Sequence, residues 1–61
     1  MKFKVGDKVT CNGNKQAQVI QIEHWANQNL TMVTLRLWDG FRVVGETQMS
    51  ESALEMQQPN N

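Results

Sequence analysis

The sequence predicts an all-β fold: one small, strongly bent barrel of five short strands. Three observations predict it. Val33-Thr34-Leu35-Arg36-Leu37-Trp38 alternates with a period of two, as a strand buried on one face does. The pairs Gly6-Asp7, Asn12-Gly13 and Asp39-Gly40 punctuate the chain at short intervals with residues that tolerate positive φ. The chain is also short, 61 residues, too few for a two-sheet sandwich, whereas a bent barrel limits exposed edges.

The elements follow in order. Phe3 and Val5 alternate with Lys2 and Lys4 in a strand-like lead-in that Gly6-Asp7 ends. Lys8-Val9-Thr10-Cys11 then puts Val9 and Cys11 on one face of the first strand, before the Asn12 to Lys15 turn. Ala17 to Trp25 is the second strand. Its apolar residues Val19, Ile20 and Ile22 fall on both faces, which calls for a bend or a bulge. A helix competes for this stretch, but Ile and Val density between turn signals favours a strand.

Ala26 to Asn29 is a polar connection. Leu30 to Glu46 is the clearest hairpin, with Asp39-Gly40 read as a type I′ turn, since that turn needs φ > 0 at both central residues. Phe41 to Val44 is its second strand. Thr47 to Ala53 reads as a loop or one 3₁₀ turn capped by Ser50, and Leu54 to Met56 as the last strand. The domain thus spans residues 1–56, and 57–61, Gln-Gln-Pro-Asn-Asn, forms a disordered tail.

With these elements placed, the chain resembles an SH3-like small barrel. Phe3 to Val9 (FKVGDKV), a polar turn, then Val19-Ile20-Gln21-Ile22 is similar to the opening of KOW and Tudor modules. Val33 to Gly40 (VTLRLWDG), Glu46 and the Ser50 to Leu54 ending extend the likeness, which is greatest to the small bacterial YodC-like proteins of unknown function. The resemblance covers Phe3 to Met56 and implies a fold. It transfers no catalytic residues, because Gly-Asp and Asp-Gly turns recur in unrelated barrels. KOW-like modules often bind RNA or proteins, and Tudor-like modules bind methylated side chains in aromatic cages.

Composition narrows the function. The formal net charge is zero, whereas nucleic-acid binders usually carry a basic face and a high pI. No apolar run reaches membrane-spanning length, and the N-terminus lacks the apolar core of a signal peptide. With one unpaired cysteine, Cys11, the expected compartment is the cytoplasm. A chain this small buries only about 60% of the surface its unfolded form exposes, so self-association is expected to add support.

Catalysis finds little to work with. His24 is the lone histidine, and its neighbour Glu23 points to the other strand face. Cys11 and His24 have no third or fourth partner at metal-ligand spacing. Cys11 reads as a small core hydrophobe, and a single histidine gives the loop serines Ser50 and Ser52 no Ser-His-Asp arrangement. No phosphate-cradling glycine motif is present. The expectation is therefore no enzyme, no cofactor, no metal and no small-molecule substrate.

The aromatic residues are the better candidates. Trp38 and Phe41 flank the turn and are expected opposite one another, with Arg36 and Arg42 nearby and Trp25 as a further aromatic. Trp and Arg are enriched among residues that dominate protein interfaces. Aromatic and basic side chains together also stack single-stranded bases. The sequence accordingly points to an interaction module that binds a protein partner or itself, through Trp38, Arg36, Arg42, Phe41 and Trp25. The alternative is a KOW-like RNA- or DNA-binding barrel using Lys4, Lys8, Arg36, Arg42 and Trp38.

Overall fold

The computed structural model describes residues 3–13 and 15–58. Four antiparallel strands form one sheet in chain order: β1 (Lys8–Cys11), β2 (Lys15–Trp25), β3 (Leu30–Asp39) and β4 (Arg42–Ser50). A short helix, α1 (Glu51–Met56), follows. The chain is mostly β, as its alternation requires. The sheet is not closed: β1 and β4 stand at its two edges, and among the described residues it has four strands, so the expected five-stranded, partly open barrel is found only as a single antiparallel sheet.

Register sorts side chains into two faces. Val9, Ala17, Leu37 and Gly45 form one row across the sheet, Val19, Leu35 and Thr47 the next, and Ile22, Val33 and Met49 a third. All belong to the inner face, where Cys11, Ala17, Val19, Val33 and Leu35 are buried. The mixed apolar pattern of β2 is resolved by a bulge between Val19 and Gln21, where Ile20 is the extra residue. Without it Val19 and Ile22 would face opposite ways; with it both turn inward.

Two residues from outside the sheet complete the core, Phe3 and Leu54. Phe3 comes in on a turn rather than a strand. The Asp7 N–H donates to the Lys4 carbonyl (3.0 Å), and the Lys4 N–H donates to Asp7 Oδ2 (2.9 Å). This turn joins β2 through Gly6 N–H to the Val19 carbonyl (2.8 Å) and Val19 N–H to the Asp7 carbonyl (2.9 Å).

Three sequence expectations are corrected here. Leu54 to Met56 belongs to a helix, not a fifth strand: Leu54 is fully buried while Met56 is 87% exposed. In a strand both would share a face; the helical turn separates them. Thr47 to Ser50, expected as loop, continues β4, and Glu51 to Ala53 begins α1, with the Ala53 N–H donating to Ser50 Oγ (3.2 Å). Ser50 is the helix N-cap, so its capping role holds although the turn is α rather than 3₁₀. Among the described residues a 3₁₀ turn lies elsewhere, at Ala26–Gln28 between β2 and β3.

The β3–β4 turn is also shifted by one residue. Asp39 pairs with Arg42, so Gly40 and Phe41 are its central residues, and only Gly40 has positive φ (63°). That is the type II′ pattern with glycine first, rather than a type I′ Asp-Gly turn. A second bulge, at Val44, separates the Leu37–Gly45 and Trp38–Val43 pairs. Trp38 therefore faces Val43, not Phe41 as expected.

Replacing Leu54 by Ala should cost about 2–5 kcal/mol of unfolding free energy, the range for deleting a buried leucine. Met56→Ala should change it by less than about 0.5 kcal/mol. Urea unfolding of both variants checks the helical placement, because a strand would make the two losses comparable.

Candidate functional site at the outer hairpin end

The outer face is polar along most of its length and aromatic at one end. Thr10, Gln16, Trp38 and Val43 form the row nearest the β3–β4 turn, and Lys8, Gln18, Arg36 and Glu46 form the next. The same alternation that turns Leu35 and Leu37 inward thus presents Arg36 and Trp38 outward. Trp38 is half-buried by its cross-strand neighbours, while Phe41 at the turn is fully exposed and Val43 and Val44 remain about half exposed.

Trp38 is the common wall of two open hollows. One, of about 480 Å³, runs over Lys8, Thr10, Gln16, Gln18 and Trp38; the other, of about 430 Å³, passes Lys15, Gln16, Trp38, Asp39 and Val44. Both are shallow surface features. Their walls offer an aromatic face, side-chain amides and two lysines.

Arg36 is paired within the sheet: its guanidinium lies 3.7 Å from the carboxylate of Glu46, its cross-strand neighbour. The two side chains are 42% and 53% exposed, so solvent screening limits the pair to about 0–1 kcal/mol. Its greater consequence is electrostatic. The positive charge nearest Trp38 on β3 is compensated, which lowers the attraction this face can exert on phosphates. Arg42 sits at the closing pair of the turn opposite Asp39 and belongs by register to the inner side of the sheet.

The structure brings together Trp38, Arg36, Phe41 and Arg42 at one end, though the two arginines lie on opposite faces. It does not bring Trp25 to them. Trp25 pairs with Leu30 at the far end of the β2–β3 ribbon, eight residues along β3 from Trp38, or roughly 26 Å at 3.3 Å per residue. Gln16 and Gln18 were missed by sequence reasoning. Their signal was the alternation with buried Ala17, which places both on the face of Trp38 once β2 begins at Lys15.

Among the described residues no group of three or more His, Cys, Asp or Glu side chains could hold a metal ion. His24 contacts Thr31 through Nδ1 and Oγ1 (3.2 Å) and lies away from Glu23 across the sheet. Among the described residues no helix is long and apolar enough to cross a membrane. Comparison of the chain with protein-family models, curated proteins and solved structures finds no match.

Cys11 is fully buried on the inner face opposite Lys15. Burial pushes its thiol up from the ordinary value of 9.0, and the Lys15 charge opposes that in part. The folded chain therefore keeps the thiol proton at a pH where the unfolded chain has lost it. Stability should be unaffected by this group well below pH 9 and should fall as pH rises beyond it. Urea unfolding at rising alkaline pH checks this: wild type should lose stability that a Cys11→Ala variant does not lose.

Proposed function

We propose that the chain is a non-enzymatic interaction module, an open relative of SH3-like small barrels, that binds a protein through its outer hairpin end. The observation that carries this reading is the exposure of Phe41 at the turn beside Val43 and Val44, next to half-buried Trp38. Isolated exposed apolar residues are ordinary on protein surfaces. A fully exposed phenylalanine grouped with two valines and a tryptophan has instead the composition of an interface centre. The protein partner here is either another chain or a second copy of this one.

Nucleic-acid binding is the second reading, and one observation favours it: the hollow over Lys8, Gln16, Gln18 and Trp38 combines a cation, amides and a ring. Base stacking on such a ring is worth about 1–3 kcal/mol per base. The zero formal charge and the Arg36–Glu46 pair weigh against it.

A photo-crosslinking residue at position 41 should yield discrete protein adducts in cells, and the same residue at Gln28 should not. Phe41→Ser should remove binding of the captured partner while changing stability by less than about 0.5 kcal/mol. Absence of adducts, together with Trp38 fluorescence of a Trp25→Phe variant quenched by single-stranded oligonucleotides in a salt-sensitive manner, would instead establish the nucleic-acid reading.

A further inference from the structure

The two edges of the open sheet are finished differently. β4 carries Arg42 and Glu46 and is broken by the bulge at Val44, devices that discourage edge-to-edge pairing. β1 runs without a bulge from Lys8 to Cys11. The outward backbone groups of Thr10, and the N–H of Asn12 just beyond the strand, are met by two consecutive glutamines from beyond α1.

The Thr10 N–H donates to Gln58 Oε1 (3.0 Å), and Gln58 Nε2 donates back to the Thr10 carbonyl (2.8 Å). The same Nε2 donates to the Leu54 carbonyl (2.8 Å), which also accepts from the Gln57 backbone N–H (3.0 Å) at the end of the helix. Next to it, the Asn12 N–H donates to Gln57 Oε1 (2.7 Å). A primary amide presents the donor and acceptor of a peptide group, so Gln58 does to Thr10 what a residue of a neighbouring antiparallel strand would do.

These contacts also specify what could replace the glutamines. Thr10 directs both its N–H and its carbonyl away from the sheet, and Asn12 directs its N–H the same way. Set antiparallel to a second β1 with Thr10 facing Thr10 on a two-fold axis, each threonine supplies the donor and the acceptor the other needs. Lys8 then faces Asn12 of the second copy, and no like charges stand directly opposite. The strand is complementary to itself in the register its own backbone exposes.

We infer that Gln57 and Gln58 form an intramolecular guard on a strand-docking edge whose occupant, once they are removed, is the β1 strand of a second copy of this chain. The edge offers backbone groups of Thr10 and Asn12, whereas the proposed protein contact rests on Phe41, Val43 and Val44 across the sheet, so either can fail without the other.

Sedimentation equilibrium of wild type and of a Gln57→Met/Gln58→Met variant tests the inference, because methionine keeps the side-chain length and removes the amides. The variant should dimerise roughly thirtyfold more tightly, the effect of about one net hydrogen bond released per chain in the closed monomer. Adding Thr10→Pro, which deletes an outward N–H, should abolish that gain. An unchanged association constant, or a dimer that survives Thr10→Pro, would overturn the inference. Hydrogen exchange in wild type and Gln58→Met gives a reading independent of dimer formation. The Thr10 amide should exchange faster in the variant while Val19 does not, and an unchanged Thr10 rate would show that there is no guard.

Discussion

A single sheet that buries only one face needs something to cover that face, and in this chain the cover comes from Leu54. The inner rows of β1 to β4 supply Cys11, Ala17, Val19, Val33 and Leu35, all on strands that lie side by side and cannot shield one another from water. Phe3 covers the sheet from the N-terminal side and Leu54 from the C-terminal side. Burying a leucine from outside the sheet contributes on the order of 1.5–3 kcal/mol by transfer alone, a large share of what a domain this small retains. The position of α1 follows from that burial, and the short helix has little stability of its own.

Once Leu54 is seated, the residues after it are carried to the edge of β1. Gln57 donates its backbone N–H to the Leu54 carbonyl (3.0 Å), and the side chains of Gln57 and Gln58 reach the β1 backbone. Hydrogen bonds that a fifth strand would supply in a closed barrel are made here by side-chain amides. The covered inner face in turn releases the outer face from any packing duty. Trp38, Gln16 and Gln18 are available there for contact, framed by the exposed turn at Phe41. Pairing of Arg36 with Glu46 compensates one positive charge on that surface.

Much of the sheet was legible because alternation and turn chemistry are local signals. β3 could be read residue by residue from Val33 to Trp38, and the apolar run at Val19-Ile20-Ile22 announced a bulge before its place was known. The missed features depend on tertiary contacts. Three residues, Leu54-Glu55-Met56, fit a strand and a helical turn equally well, and only the burial of Leu54 beneath the sheet decides between them. Thr47 to Ser50 lacks apolar density, so its strand character comes from pairing with Met32 to Leu35. The turn slipped from Asp39-Gly40 to Gly40-Phe41 because glycine suits the first central position of one turn as well as the second of another. Trp38 and Arg36 share a face, as a spacing of two implies, whereas Trp25 required the register to reveal how far away it lies. Nothing in a Gln-Gln pair signals that it will stand in for a strand.

Native-state hydrogen exchange of the wild-type chain tests most directly whether α1 is integral to the core. If Leu54 closes the inner face, the amides of α1 and of Gln57 should open only with those of Val33 and Leu35, with the same free energy and the same dependence on urea. Exchange of the α1 amides through a separate opening of lower free energy, while β3 stays protected, would make the helix an appendage and contradict the account.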